Sequence, residues 1–244
     1  MDFSNEHFGV APLLKCRGTI GTAELNVNDL AISIRYNTQF AVADRVEVAS
    51  ASANDTAAGT GARTIKVYGL DKDYNPLIET ITLNGQTPVV GTLNFIRVFA
   101  AYVATAGSTG VNAGNITVIR QGTGGTYTGG VPGTLTSAWL RMLAGDNLGY
   151  SGVFTAGAGR LYRVASIVPT SRAQGGTIIA VRNQPLDIDQ PGPFAWLKME
   201  SQFGISRMDL GNSMILQPRE DLYFRAISAA AGGIHHVLAV LERV

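Results

Sequence analysis

The chain has 244 residues, with 19 Lys and Arg against 18 Asp and Glu, a net charge of +1 and 15% charged residues, where an ordinary soluble domain carries about 25%. That balance does not indicate a basic nucleic-acid surface, and no block of like charges marks a binding tail. The single cysteine, Cys16, excludes a disulfide framework within the chain, and the length suffices for one large or two modest cores.

The start, MDFSNEHFGV, is polar and acidic and lacks the basic and apolar regions of a signal peptide. No run of about 18 apolar residues marks a transmembrane helix. Residues 1–16 read as an N-terminal arm, with Asp2, Phe3 and Phe8 as candidate contacts to a particle. Cys16, within LLKCR, reads as a buried structural thiol, because no base and orienting group accompany it. The 29 glycines and the abundance of Ala, Thr, Val and Ile suit short strands and many turns.

Strands are expected around Ile20, Leu25 and Val27 and over residues 31–36, and a strand or short helix within 38–50. Residues 51–62, ASANDTAAGTGA, form a loop. TIKVY (64–68) and ETITL (79–83) alternate apolar and polar residues and are rich in β-branched side chains, the mark of half-buried strands. Asn84-Gly85 is a tight-turn signal, and Pro88-Val89-Val90 restarts an extended segment. Residues 95–103, FIRVFAAYV, read as one long strand, followed by the turn AGSTGVNAGN and the strand ITVIR (116–120).

Residues 123–134 are glycine-rich and read as a linker or loop between two modules, 17–122 and 135–244. Residues 135–143 suit a short helix or a strand. Further strands are expected over 160–168, 175–182, 194–199, 213–216, 222–227 and 234–244. This pattern predicts an all-β fold of the β-sandwich or jelly-roll kind, as two β-domains or one extended sandwich.

The segment 64–119 carries a resemblance. Gly69-Leu70-Asp71, Glu79-Thr80-Ile81-Thr82-Leu83-Asn84-Gly85, Thr87-Pro88-Val89 and Gly110-Val111-Asn112-Ala113-Gly114-Asn115-Ile116-Thr117-Val118 resemble a module in structural proteins of tailed bacteriophages, many from aquatic hosts. Residues 216–226, LQPREDLYFRA, resemble a strand near the C-terminus of such proteins. The resemblance covers about two thirds of the chain. It implies a non-enzymatic virion protein made in the host cytoplasm. The first reading is a capsid decoration or cement protein whose partners are the major capsid protein or other virion proteins. The alternative is a neck, tail or fibre-base component, with a receptor- or glycan-binding role as a further option.

Chemistry is sparse. Asp71-x-Asp73-x-Asn75 has the opening spacing of a calcium loop, but Pro76 stands where glycine is needed and Thr82 where the bidentate Glu belongs, so a turn between strands is the better reading. His235 and His236 would point to opposite faces of a strand, and Asp187-x-Asp189 reads as a solvated turn. Trp139, Tyr150, Phe194 and Trp196 suit packing better than a sugar platform. No GxSxG, Walker-type or HExxH pattern occurs. The expectation is no cofactor, no metal, no nucleic acid and no membrane.

The remaining expectation is self-association. In 95–103, Phe95, Arg97 and Phe99 would share one strand face while Ile96, Val98, Ala100 and Tyr102 share the other. A sandwich strand needs one apolar face, so the Phe95, Arg97, Phe99 face is the candidate interface of a homo-oligomer, with a trimer favoured. The rival is that both faces are buried within one chain.

Overall fold

The computed structural model describes residues 13–20, 25–26, 42–135, 138–171, 176–183, 193–201, 204–205, 208–210, 214–228 and 233–244. Among them every regular element is a strand, and no helix is long and apolar enough to cross a membrane. In chain order these are β1 (Leu13–Ile20), β2 (Leu25–Asn26), β3 (Asp44–Ser50), β4 (Ala62–Leu70), β5 (Pro76–Thr82), β6 (Val89–Phe95), β7 (Arg97–Ala106), β8 (Ile116–Arg120), β9 (Tyr127–Thr128), β10 (Val131–Pro132), β11 (Ala138–Met142) and β12 (Leu148–Tyr150). There follow β13 (Val153–Thr155), β14 (Tyr162–Ser171), β15 (Gly176–Asn183), β16 (Pro193–Ser201), β17 (Gly204–Ile205), β18 (Met208–Asp209), β19 (Ile215–Leu216), β20 (Asp221–Ser228) and β21 (Gly233–Arg243).

The chain divides into two units. One is continuous, Ile34–Ser151; the other is split, Met1–Ser33 with Gly152–Val244. This differs from the expected boundary at 123–134. β11 pairs with β8 and β12 with β7, so residues 138–150 complete the unit that residues 44–120 begin. The glycine-rich segment is not a linker either. It carries the small β9–β10 hairpin, and it is tied to β3: the Glu47 carboxylate accepts from the Tyr127 hydroxyl and from the Gly122 N–H at 3.1 Å. Gly130, at φ +78°, lies so close to the Ser50 carbonyl that a Cβ would sit 1.8 Å from its oxygen. Positive φ at Gly122, Gly125, Gly129 and Gly130, and close backbone approach at Gly130 and Gly133, account for glycine here.

The continuous unit is a β-sandwich. Sheet I has the order β11-β8-β3-β6 and sheet II the order β12-β7-β4-β5. The pairs β3/β4, β5/β6, β7/β8 and β11/β12 are each consecutive in chain order and each cross from one sheet to the other. Val48, Val118, Leu140 and Met142 from sheet I and Ile65, Val67, Ile81 and Ala101 from sheet II are buried, as alternation on facing strands requires.

The same crossing breaks the long strand expected over 95–103. β6 ends at Phe95 in sheet I, Ile96 is a bend, and β7 starts at Arg97 in sheet II. Phe95 is 0% exposed, Arg97 2%, Ile96 4% and Val98 0%.

The split unit is a second sandwich. One sheet runs β1-β21-β14, with β17, β18 and β19 on β14; the other runs β13-β20-β15-β16, with β2 on β20. Tyr162, Val164, Ile167, Leu216, Ala239 and Leu241 of the first pack with Phe154, Leu222 and Phe224 of the second. Phe154 meets Tyr162 edge-on at 4.8 Å, a favoured aromatic geometry.

Candidate functional surface

Two of the three expected interface residues, Phe95 and Arg97, are internal. Phe95 and Arg97 are enclosed by their own unit and Phe99 is half-buried. The Arg97 guanidinium donates to the Ile96 carbonyl at 2.8 Å and lies 5.9 Å from the Tyr74 ring centroid. Phe95 and Arg97 are used by the chain's own core, which favours the rival reading for these two residues. Asp2, Phe3 and Phe8 lie outside the described residues, as do Asp187 and Asp189. Cys16 lies in β1 opposite Val237, and His236 and His235 lie opposite Arg17 and Gly18. Trp139 is 1% exposed and serves packing.

The Asp71 loop is a hairpin turn between β4 and β5. Asp71 Oδ1 accepts from the N–H groups of Asp73 at 2.8 Å and Asn75 at 2.9 Å, and the Tyr74 N–H donates to the Asp71 carbonyl at 2.9 Å. Tyr74 takes φ +66° and turns its ring inward, 9% exposed. Among the described residues no group of three or more His, Cys, Asp or Glu is placed to hold a metal ion.

Buried carboxylates do similar work elsewhere. Asp55, 0% exposed, accepts from Ser50 Oγ at 2.5 Å and from the N–H groups of Ala62 at 2.7 Å, Ala113 at 2.8 Å and Gly114 at 2.9 Å. It pins the 52–61 loop to the turn before β8. Glu79 reaches from β5 to β6, where the register jumps between Arg45/Asn94 and Glu47/Val90. That bulge takes backbone groups off the ladder, and Glu79 accepts from the N–H groups of Thr92 at 2.5 Å and Leu93 at 3.4 Å and from the Thr92 hydroxyl at 2.9 Å. Burial and the Glu47 carboxylate together hold the Tyr127 phenol well above its usual pKa. Sequence reading missed these roles, because Ala113 and Gly114 lie 58 and 59 positions from Asp55, Tyr127 lies 80 from Glu47, and the nearer donors are backbone or hydroxyl groups that no motif marks.

What remains open is one side of sheet II. The Leu83 N–H donates to the Arg63 carbonyl at 2.9 Å. Alternation then makes Ile65/Ile81, Val67/Glu79 and Gly69/Leu77 the hydrogen-bonded pairs of β4 and β5. Ile78, Thr80 and Thr82 therefore direct their N–H and C=O groups away from β4, and all three are exposed, Ile78 by 41%. On the outer face of the sheet, Ile78 lies opposite Tyr68, and Thr80 and Tyr102 lie on either side of Lys66. Tyr68 and Tyr102 stack at 5.3 Å and share a hydroxyl hydrogen bond of 2.8 Å. The arrangement suits contact with another strand or protein surface and holds no nucleophile–base pair.

No protein-family model matches the chain, and no curated protein matches it. Among solved structures it is weakly similar to a chain of the T13 particle of infectious bursal disease virus, with 9% identity, coverage of 96% of this chain and 70% of that one, and a TM-score of 0.21. A chain of the VP2 subviral particle of infectious bursal disease virus gives 10% identity, 96% and 72% coverage and a TM-score of 0.19. Scores of this size establish no shared fold.

Proposed function

We propose that the chain is a non-enzymatic structural protein of a virion, in the first instance a capsid decoration protein that sits on the head of a tailed phage and contacts the major capsid protein. The observation that carries this reading is the sequence resemblance over 64–119. Its segments fall on β4, the Asp71 turn, β5, the Asn84-Gly85 turn, the start of β6 and the entry to β8. The use of buried Asp55 and Glu79 as acceptors for backbone N–H groups also supports a scaffold role for these two carboxylates.

Electron microscopy of particles made without the protein tests the proposal. Fragile heads lacking surface density are the expected result. Intact heads missing neck or tail parts would move the protein to the neck or tail, and unaltered particles would overturn a virion role. Deleting residues 1–12 should weaken particle binding and leave the circular dichroism spectrum unchanged. Undiminished binding would remove the arm from the account.

A further inference from the structure

The geometry points to β5 as a self-pairing edge: two copies of this chain join their β5 strands antiparallel, about a twofold axis at Thr80, and make sheet II continuous across the pair. This inference does not rest on the virion reading. It begins from the four edges of the sandwich. β12 has three residues and β11 five. β6 is bulged, and Glu79 occupies N–H groups that a partner strand would need. β5 is the regular one: seven residues in unbroken register with β4, with Ile78, Thr80 and Thr82 turned outward. Protein sheets ordinarily protect such an edge with charge, proline or a bulge. Here Pro76 guards only the first position, and the outward residues carry no charge.

The register selects a second copy as occupant. Antiparallel neighbours share a face, so outward residues must meet outward residues. Centring on Thr80 sets Thr80 against Thr80 and Ile78 against Thr82, which uses all three outward residues of each copy. Both are β-branched contacts of the kind that stabilise sheets. Centring one residue earlier would oppose Glu79 to Glu79. Centring on Thr80 instead sets Glu79 against Ile81, with the carboxylate already turned to the Thr92 and Leu93 N–H groups. The strand therefore pairs with itself without opposing like charges.

Sedimentation and light scattering over a wide concentration range should show a monomer–dimer equilibrium. Thr80→Pro removes an N–H that β4 does not use, so the fold is kept. By symmetry it deletes two intermolecular hydrogen bonds and should weaken the dimer about thirtyfold at their usual net worth. Thr80→Lys, which places like charges on the axis, should also shift the equilibrium to monomer. A cysteine pair tests the register independently of any loss of folding. In a Cys16→Ser background, Thr80→Cys should oxidise to a covalent dimer, since a hydrogen-bonded pair sets its Cα atoms at a distance a disulfide spans, whereas Ile78→Cys should not. A wild type that stays monomeric throughout, a Thr80→Lys variant that dimerises undiminished, or equal cross-linking at 78 and 80 would each overturn the proposal.

Discussion

Asp55 shows how much one side chain can hold. Four donors converge on its two oxygens in a site closed to solvent. Asp55→Ala strands them all, and a buried unpaired donor costs about 1–3 kcal/mol; with partial relaxation, urea unfolding should show a loss of about 3–5 kcal/mol. Asp55→Asn should recover only part, because its NH₂ group must face donors whichever way the amide is set. A loss under about 1 kcal/mol for the alanine variant would mean that water replaces the carboxylate. Asp44 is the contrasting surface case. The hydrogen bond from Arg120 is the main reason its pKa lies below the usual carboxylate value, with burial opposing. A depressed folded-state pKa gives stability that is present above the unfolded value of about 3.9 and lost as pH falls through the folded one. Asp44→Asn should cost less than about 1 kcal/mol at neutral pH, and the difference from wild type should vanish in acid. None of these pairings could be read from sequence. Two of the four donors to Asp55 lie more than fifty positions away, and nothing in the loop ASANDTAAGTGA distinguishes a pinning Asp from a solvated one.

Strands were legible where one strand stays in one sheet. The alternation in TIKVY and ETITL becomes β4 and β5, and the tight turn at Asn84-Gly85 separates β5 from β6. Legibility fails at corners. Residues 95–103 show two apolar faces because Phe95 ends a strand of sheet I while Val98 belongs to a strand of sheet II, and both face their own interior. The pattern that suggested an interface is the signature of a chain changing sheets. The β6 bulge offers a test at this scale. An added Cβ on Gly91 would come within 2.6 Å of Glu79 Oε2. Gly91→Ala should therefore cost about 1–3 kcal/mol by overpacking, and Glu79→Ala a similar amount by unpairing the bulge N–H groups. In the double variant the methyl has nothing to strike, so the combined loss should fall short of the sum by about 1 kcal/mol or more. Strict additivity in a denaturation double-mutant cycle would show that Glu79 moves aside freely.

At the scale of the whole chain, the glycine-rich stretch drew the expected boundary to 123–134, but the contact boundary lies at Ser151. Composition records backbone flexibility; it does not record that β11 and β12 return to sheets begun before the stretch. A fragment of residues 34–151 should fold alone, with a β-type spectrum and one cooperative melt, whereas fragments ending at 122 or starting at 135 should not; a melt of the 17–122 fragment as sharp as that of 34–151 would refute the division. The split unit has its own consequence. β1 pairs along its whole length with β21, so residues 13–20 wait for residues 233–240. At a synthesis rate of about 5–20 residues per second, β1 stands without β21 for roughly ten to forty seconds on the ribosome. The continuous unit meanwhile has every strand it needs. Vectorial synthesis thus favours an order in which the continuous unit closes first and β1 meets β21 later, and it makes that interval the time when an unpaired β1 is exposed to capture by another nascent chain.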